Sequence, residues 1–155
     1  MKVRDAVRPE LVFLDLEVKE GETVIAAIAR ELGPAADLDA GMIDVALTER
    51  ETLGSTSVGN GFAIPHCKLT ALPEIVVALA RFDAGVDFGV SKNHHPVRFF
   101  FVVLSPPDQP AEHLQILSQI ARILKGNELR EELLEAKDPD SIISAIDRAA
   151  GREGL

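Results

Sequence analysis

Apolar residues recur along this chain in two rhythms, and the chain turns where each one breaks. In "LVFLDLEV" (11–18) few polar residues interrupt the run, and it reads as a strand. In "GETVIAAIARELG" (21–33), Val24, Ile25, Ile28 and Leu32 return at helical spacing, with Gly33-Pro34 as the expected stop. "LDAGMIDVALTERETLG" (38–54) repeats the helical pattern, with Asp39 as N-cap and Gly54 as its end. Met42, Ile43, Ala46 and Leu47 form its apolar face.

"STSVGNG" (55–61) is small and polar and reads as a loop. "FAI" (62–64) is a short strand that Pro65 terminates. "IVVALARF" (75–82) is a longer strand, and "GVDFG" (85–89) a brief extended piece. "PVRFFFVVLS" (96–105) is almost wholly apolar, the pattern of a central strand buried on both faces. In "PPDQPAEHLQILSQIARILKG" (106–126), Asp108 is placed to cap a helix and Pro110 falls in its first turn. Leu114, Leu117, Ala121 and Leu124 line one face of it. Two more helices follow at 127–136 and 138–150. The prediction is an α/β fold, a three-layer α/β/α domain. Strands 75–82 and 96–105 lie too close in sequence for a helical crossover, so they pair antiparallel and the sheet is mixed.

Composition narrows the function. The 155 residues suit one domain, and 46% hydrophobic with 26% charged is an ordinary globular balance. A formal net charge of -9, with no Lys/Arg cluster, argues against nucleic acid and is compatible with a basic protein partner. A single cysteine, Cys67, forms no internal disulfide and points to a reducing compartment. The longest apolar runs, "IVVALA" and "FFFVVL", fall far short of the ~20 residues of a membrane helix. The N-terminus lacks the apolar stretch of a signal peptide, so a cytoplasmic location is expected, without membrane insertion.

The candidate chemistry centres on "GNGFAIPHCK" (59–68). No Gly-Lys-Ser/Thr follows the glycines, so this is not a P-loop, and no helix follows them as in a dinucleotide site. They allow either a tight turn or a close approach of backbone amides to an anion. Pro65 limits how the chain reaches His66, which would hold the imidazole in one place. Adjacent His66 and Cys67 rarely ligate one ion together, and no spaced Cys/His set completes a site. His94 and His95 join only through folding, so no metal and no cofactor are expected. His113 falls in the first turn of the strongest helix, where the dipole favours a neutral ring. Arg50 falls in the last turn of its helix, a favourable place for a cation and also a guanidinium able to grip phosphate. Taken singly, an ordinary structural role is the better reading of each.

Together these residues carry a resemblance. "ERETLGSTSVGNGFAIPHCK" (49–68) resembles the active-site signature of enzyme IIA components of the bacterial phosphotransferase system, of the fructose, mannitol and nitrogen-regulatory class. There an acidic or polar residue and an Arg precede Leu-Gly, and Ala-Ile-Pro-His closes the motif. "GVDFGVSKNHHPVRFFFVVLSPPDQPAEHLQIL" (85–117) is similar to the family's Pro-Val, apolar strand and His-Leu-x-x-Leu. The likeness spans roughly residues 8–148 of a single domain covering 1–155.

The resemblance implies a phosphocarrier. His66 would take a phosphoryl group from phosphohistidine on HPr or a nitrogen-branch equivalent. His113 and Arg50 would be the second active-site histidine and the arginine, and loop amides around Ser55 and Thr56 would add phosphate donors. The stretch "RETLGSTSVGNGFAIPH" and the stand-alone chain favour the nitrogen-regulatory branch, which acts through regulatory target proteins. The alternative is a sugar-specific IIA passing phosphate to a IIB for fructose or mannitol. A third reading, a sensory domain that no longer transfers phosphate, is disfavoured by the presence of Arg50, His66 and His113. Cys67 replaces the family's usual Gly, and a small buried side chain is expected there.

Overall fold

The computed structural model describes residues 1–89 and 96–155, so His94 and His95 lie outside the described residues. A four-residue helix, α1 (Val3–Ala6), leads into strand β1 (Val7–Phe13). Helices α2 (Val24–Ala35) and α3 (Ala40–Thr52) follow. Three short strands come next, β2 (Ser57–Gly59), β3 (Phe62–Ala63) and β4 (His66–Lys68). Two long ones follow, β5 (Val76–Val86) and β6 (Val97–Ser105). Helices α4 (Pro110–Ile123), α5 (Asn127–Glu135) and α6 (Pro139–Arg152) complete the chain.

The sheet runs β1-β5-β6-β3-β2, with β4 also on β6. The β5–β6 pair is antiparallel, and β1 on β5 and both β3 and β4 on β6 are parallel, so the sheet is mixed as expected. Its two faces bury separate cores. Val77, Leu79, Phe99, Phe101 and Val103 face Ile116, Ile120, Leu133 and Ile146 of α4, α5 and α6. Ala78, Ala80, Phe100, Val102 and Leu104 face Ile28, Leu32, Ile43 and Leu47 of α2 and α3. That is the three-layer α/β/α arrangement. All six apolar residues from Phe99 to Leu104 are 0% exposed, which explains why β6 shows no alternation in sequence.

Local chemistry accounts for most element ends. Asp39 and Asp138 cap α3 and α6 by accepting from Met42 N and Ser141 N, and Thr23 caps α2 through Ala26 N. Several expectations need correction. The first strand is Val7–Phe13 rather than 11–18. Its Arg8-Pro9-Glu10 stretch is exposed and lies in a register shift of an edge strand, where proline is tolerated and no apolar pattern marks it. Gly33-Pro34 does not stop α2, which runs to Ala35. A Cβ on Gly33 would lie 2.9 Å from Ala40 Cβ, so that glycine serves the close approach of α2 and α3. Ser57–Gly59, expected as loop, pairs with β3 through a hairpin whose Gly59, Asn60 and Gly61 all have positive φ. Strand β5 continues through Val86, while 87–89 lie outside any strand. Asp108 does not cap α4: the N-cap is Gln109, with no side-chain cap bond. The buried stripe of α4 is His113, Ile116, Ile120 and Ile123, and Leu114 is 66% exposed.

One buried cation ties the layers together. Arg81 on β5 is 7% exposed and donates from one guanidinium nitrogen to Leu133 O at 2.9 Å and Ala136 O at 2.6 Å. These are carbonyls from the C-terminal end of α5, which have no onward helical partner and carry partial negative charge. Its Nε lies 2.8 Å from Asp83 Oδ1, close enough for an ion pair without the geometry of a directed hydrogen bond. Arg81→Met removes two charge-assisted bonds and leaves buried carbonyls bare. It should cost about 3 kcal/mol in denaturant unfolding, with loss of hydrogen-exchange protection concentrated in α5.

Candidate active site

The site grows from a strand that Pro65 interrupts without ending. Phe62 and Ala63 pair with Phe99 and Phe100, and His66, Cys67 and Lys68 pair with Val103, Leu104 and Ser105. The offset is 37 on both sides of the gap (99 minus 62, 103 minus 66), so β3 and β4 keep one register. Pro65 accepts from Val103 N at 3.0 Å but has no N–H to return, and the ladder skips a step there. The expectation that Pro65 terminates the strand is therefore corrected: pairing resumes at His66. Alternation puts Phe62, Ile64 and His66 on the α4 side of the sheet, with Ala63 and Cys67 on the α3 side.

His66 is half-buried, and both ring nitrogens are engaged. Nδ1 lies 2.8 Å from Ile64 O, and a carbonyl only accepts, so Nδ1 carries the proton. Nε2 then holds the lone pair, and Arg50 Nε donates to it at 3.3 Å. Arg50 comes from the last turn of α3, on the opposite layer, and is steadied by a 3.0 Å bond from its NH1 to Gly54 O. His113, on the buried stripe of α4, brings its ring centroid to 5.5 Å from that of His66. Its Nδ1 is 2.6 Å from the Ser105 hydroxyl, at the end of β6. Arg50, His66 and His113 line a cavity of about 710 Å³, together with Glu49, Lys68 and Leu117. The neighbouring Leu53 and Leu114 are 82% and 66% exposed, an apolar rim of the kind that meets a protein partner.

Ser55 and Thr56 do not reach this cavity. Thr56 is 6% exposed and gives both its amide, at 3.2 Å, and its hydroxyl to the Glu51 carboxylate. The Ser55 hydroxyl accepts from Ser57 N at 3.1 Å, and Ser55 borders a different depression with Phe88 and Gly89. Sequence reading missed Ser105 and Lys68. The signal for Ser105 was present, since a hydroxyl closing six consecutive apolar residues must find a partner in the core. Among the described residues no three His, Cys, Asp or Glu side chains converge as a metal site would require.

A profile described as the phosphoenolpyruvate-dependent sugar phosphotransferase system, EIIA 2, matches residues 6–149. The chain belongs to the EIIA 2 family. It is 33% identical over 146 residues to a nitrogen regulatory protein of Bradyrhizobium diazoefficiens, spanning 94% of this chain and 95% of that one. It is 32% identical over 149 residues to the fructose-specific EIIABC component of Bacillus subtilis, spanning 96% of this chain and 23% of that longer protein. Among solved structures it superimposes on the nitrogen regulatory protein IIA-Ntr of Neisseria meningitidis with a TM-score of 0.83 at 26% identity, covering 93% and 98% of the two chains. No helix among the described residues is long and apolar enough to cross a membrane.

In this EIIA 2 chain, burial governs the electrostatics of the cavity. Burial pushes the His66 pKa down; the Ile64 bond opposes that, Arg50 adds to it and Glu51 opposes it. The His113 pKa is also pushed down, by burial first and then by His66 and Lys68. Both shifts favour the neutral form of the ring. Cys67 is 8% exposed within the α2/α3 core, and burial pushes its thiol up to about 12, so it stays protonated and unreactive. Depressed histidine values also fix the sign of a stability effect. The unfolded chain gains protons first, so the contribution is whole above about pH 6.5 and is lost as pH falls toward the lower folded values. Urea midpoints should fall between pH 7.5 and 5, and a His66→Gln, His113→Gln double variant should show a flatter decline.

Proposed function

We propose that this protein is a phosphocarrier that accepts a phosphoryl group on Nε2 of His66 from phosphohistidine on HPr or its nitrogen-branch equivalent. It then acts mainly through partner binding that depends on phosphorylation. The observation that carries the reading is the assignment of the two His66 nitrogens: Nδ1 is spent on Ile64 O, and Nε2 opens toward Arg50 and the cavity. In the transfer, the N–P bond of the donor breaks with its electron pair left on the donor imidazole. Arg50 Nε releases its hydrogen bond to Nε2 and turns to the phosphoryl oxygens. The freed Nε2 lone pair of His66 forms the new N–P bond, and the proton stays on Nδ1, hydrogen-bonded to Ile64 O. Such a reaction needs in-line positioning and stabilisation of charge on the phosphoryl oxygens more than covalent assistance. Arg50 meets that need with a guanidinium already beside the nucleophile, and His113 with a second donor across the cavity.

The regulatory role is supported by likeness to nitrogen regulatory proteins along nearly the whole length of this chain. A phosphoryl group adds about -1.5 to -2 charges beside Glu49 and Glu51, enough to reverse the preference of a partner docking over Leu53 and Leu114. The sugar-specific reading is favoured by comparable identity to the fructose-specific protein. In that case phosphate would pass on to a IIB domain. A mannitol IIA of the same fold has been solved in complex with phosphorylated enzyme IIBMtl, although at 19% identity the likeness concerns the fold.

Incubation with phosphoenolpyruvate, enzyme I and HPr should produce an acid-labile, alkali-stable adduct that His66→Gln abolishes. Labelling of His66→Gln at the wild-type level would refute the acceptor. Arg50→Ala should slow labelling by about 10²–10³ while the label stays on His66. Pull-downs with wild type and His66→Ala should recover different proteins. Identical sets, with label chasing rapidly onto a IIB and then fructose or mannitol, would establish the sugar-transport reading instead.

A further inference from the structure

We propose that Ser105 is a positioning residue that fixes the tautomer of His113, so that His66 offers a lone pair and His113 a proton to the same cavity, each from Nε2. The use of that arrangement in catalysis rests on the phosphocarrier reading; the arrangement itself does not.

The argument begins with a hydroxyl that has one partner. Ser105 is 0% exposed, and its Oγ makes a single hydrogen bond among the described residues, to His113 Nδ1 at 2.6 Å. Two assignments are open. If Nδ1–H donated to Oγ, the serine O–H would be left in the core without an acceptor, and an unmet buried donor is destabilising. If the serine O–H donates to the Nδ1 lone pair, its own donor is satisfied, and the imidazole proton goes to Nε2. The second assignment leaves no stranded donor in the core.

The cavity supplies the other half. Nε2 of His113 has no hydrogen-bond partner among the described residues and is not among their sealed, unpaired polar atoms. It therefore opens to the space that His113 and His66 both line, with the ring centroids 5.5 Å apart. On His66 the arrangement is reversed, because Nδ1 keeps its proton and donates it in a hydrogen bond to Ile64 O. Each ring is thus set through its Nδ1 by a neighbour on the sheet, one by an acceptor and one by a donor. The result is one nucleophilic and one donating nitrogen, both in the neutral state that burial enforces. With the opposite tautomer, His113 would turn a lone pair toward the phosphoryl oxygens and repel them.

The fold places Ser105 for this task. It is opposite Lys68 in the β4–β6 register, two residues beyond the partner of His66, and the chain then turns through Pro106-Pro107 into α4. One strand end therefore aligns the nucleophile's strand and the second histidine together.

The test uses the wild-type protein with nitrogen-15-labelled histidines and long-range proton–nitrogen correlation at pH 8. For His113, Nδ1 should resonate as an unprotonated nitrogen and Nε2 as a protonated one, with the reverse for His66. A protonated Nδ1 on His113 overturns the proposal. In Ser105→Ala the His113 signals should move toward an average of the two tautomers. Phosphoryl uptake by His66 should fall about tenfold, roughly the rate equivalent of one hydrogen bond, with the half-saturating donor concentration unchanged. Ser105→Thr, which keeps the hydroxyl, should restore both; a wild-type uptake rate in Ser105→Ala overturns the positioning role. If the wild type takes up no phosphoryl group, the functional reading fails, and the spectrum still decides the tautomers. The same spectrum decides them if Ser105→Ala does not fold.

Discussion

The pairing of residues 62–68 with β6 in a single register is the constraint on which the rest depends. Because side chains alternate across a pleated strand, register decides which layer each residue belongs to. Here it sends His66 toward α4 and Cys67 toward α3, and it sets Ser105 level with Lys68. Pro65 omits one donor from the ladder without shifting the count. His66 therefore sits where backbone pairing has just resumed, with the Ile64 carbonyl free to accept a hydrogen bond from its Nδ1.

Both helical layers then contribute to a place that neither makes alone. Arg50 arrives from α3 and His113 from α4, and they meet at the end of the sheet around His66. Arg50, Lys68 and Glu49 bring charged side chains to the cavity, whereas desolvation pushes both imidazole pKa values down, with Arg50 beside His66 and Lys68 beside His113 working in the same direction. The cations thus discourage protonation of the rings.

The layered architecture and the antiparallel β5–β6 pair were legible because long apolar runs and helical spacing report burial directly. The trio Arg50, His66 and His113 was legible through motif likeness rather than periodicity. What escaped had physical reasons. In α4 both Leu and Ile positions recur at helical spacing; of the expected face Leu114, Leu117, Ala121 and Leu124, Leu124 is buried and Leu117 packs on the core, but the stripe itself is His113, Ile116, Ile120 and Ile123. Strand β1 hid behind exposed Arg8-Pro9-Glu10, since an edge strand needs no apolar alternation on every residue. The small residues Ser55 and Thr56 resembled anion contacts, but Glu51 claims the amide and hydroxyl of Thr56. Arg81 and Ser105 are polar residues in apolar strands, and their partners lie 52 and 8 residues away, where no local pattern can point.

The interrupted strand also makes sequence length a functional quantity. One residue added or removed between Gly61 and His66 would exchange the two faces for everything downstream in the segment, turning the imidazole to the α3 side and the cysteine to the α4 side. The hairpin tip at Val58–Asn60 lies outside that count, exposed, and its turn can grow or shrink without disturbing parity. Divergence in this part of the chain is therefore channelled: insertions and deletions belong in the turn, while the six positions from Gly61 to His66 behave as a fixed ruler between the sheet's edge and its chemistry.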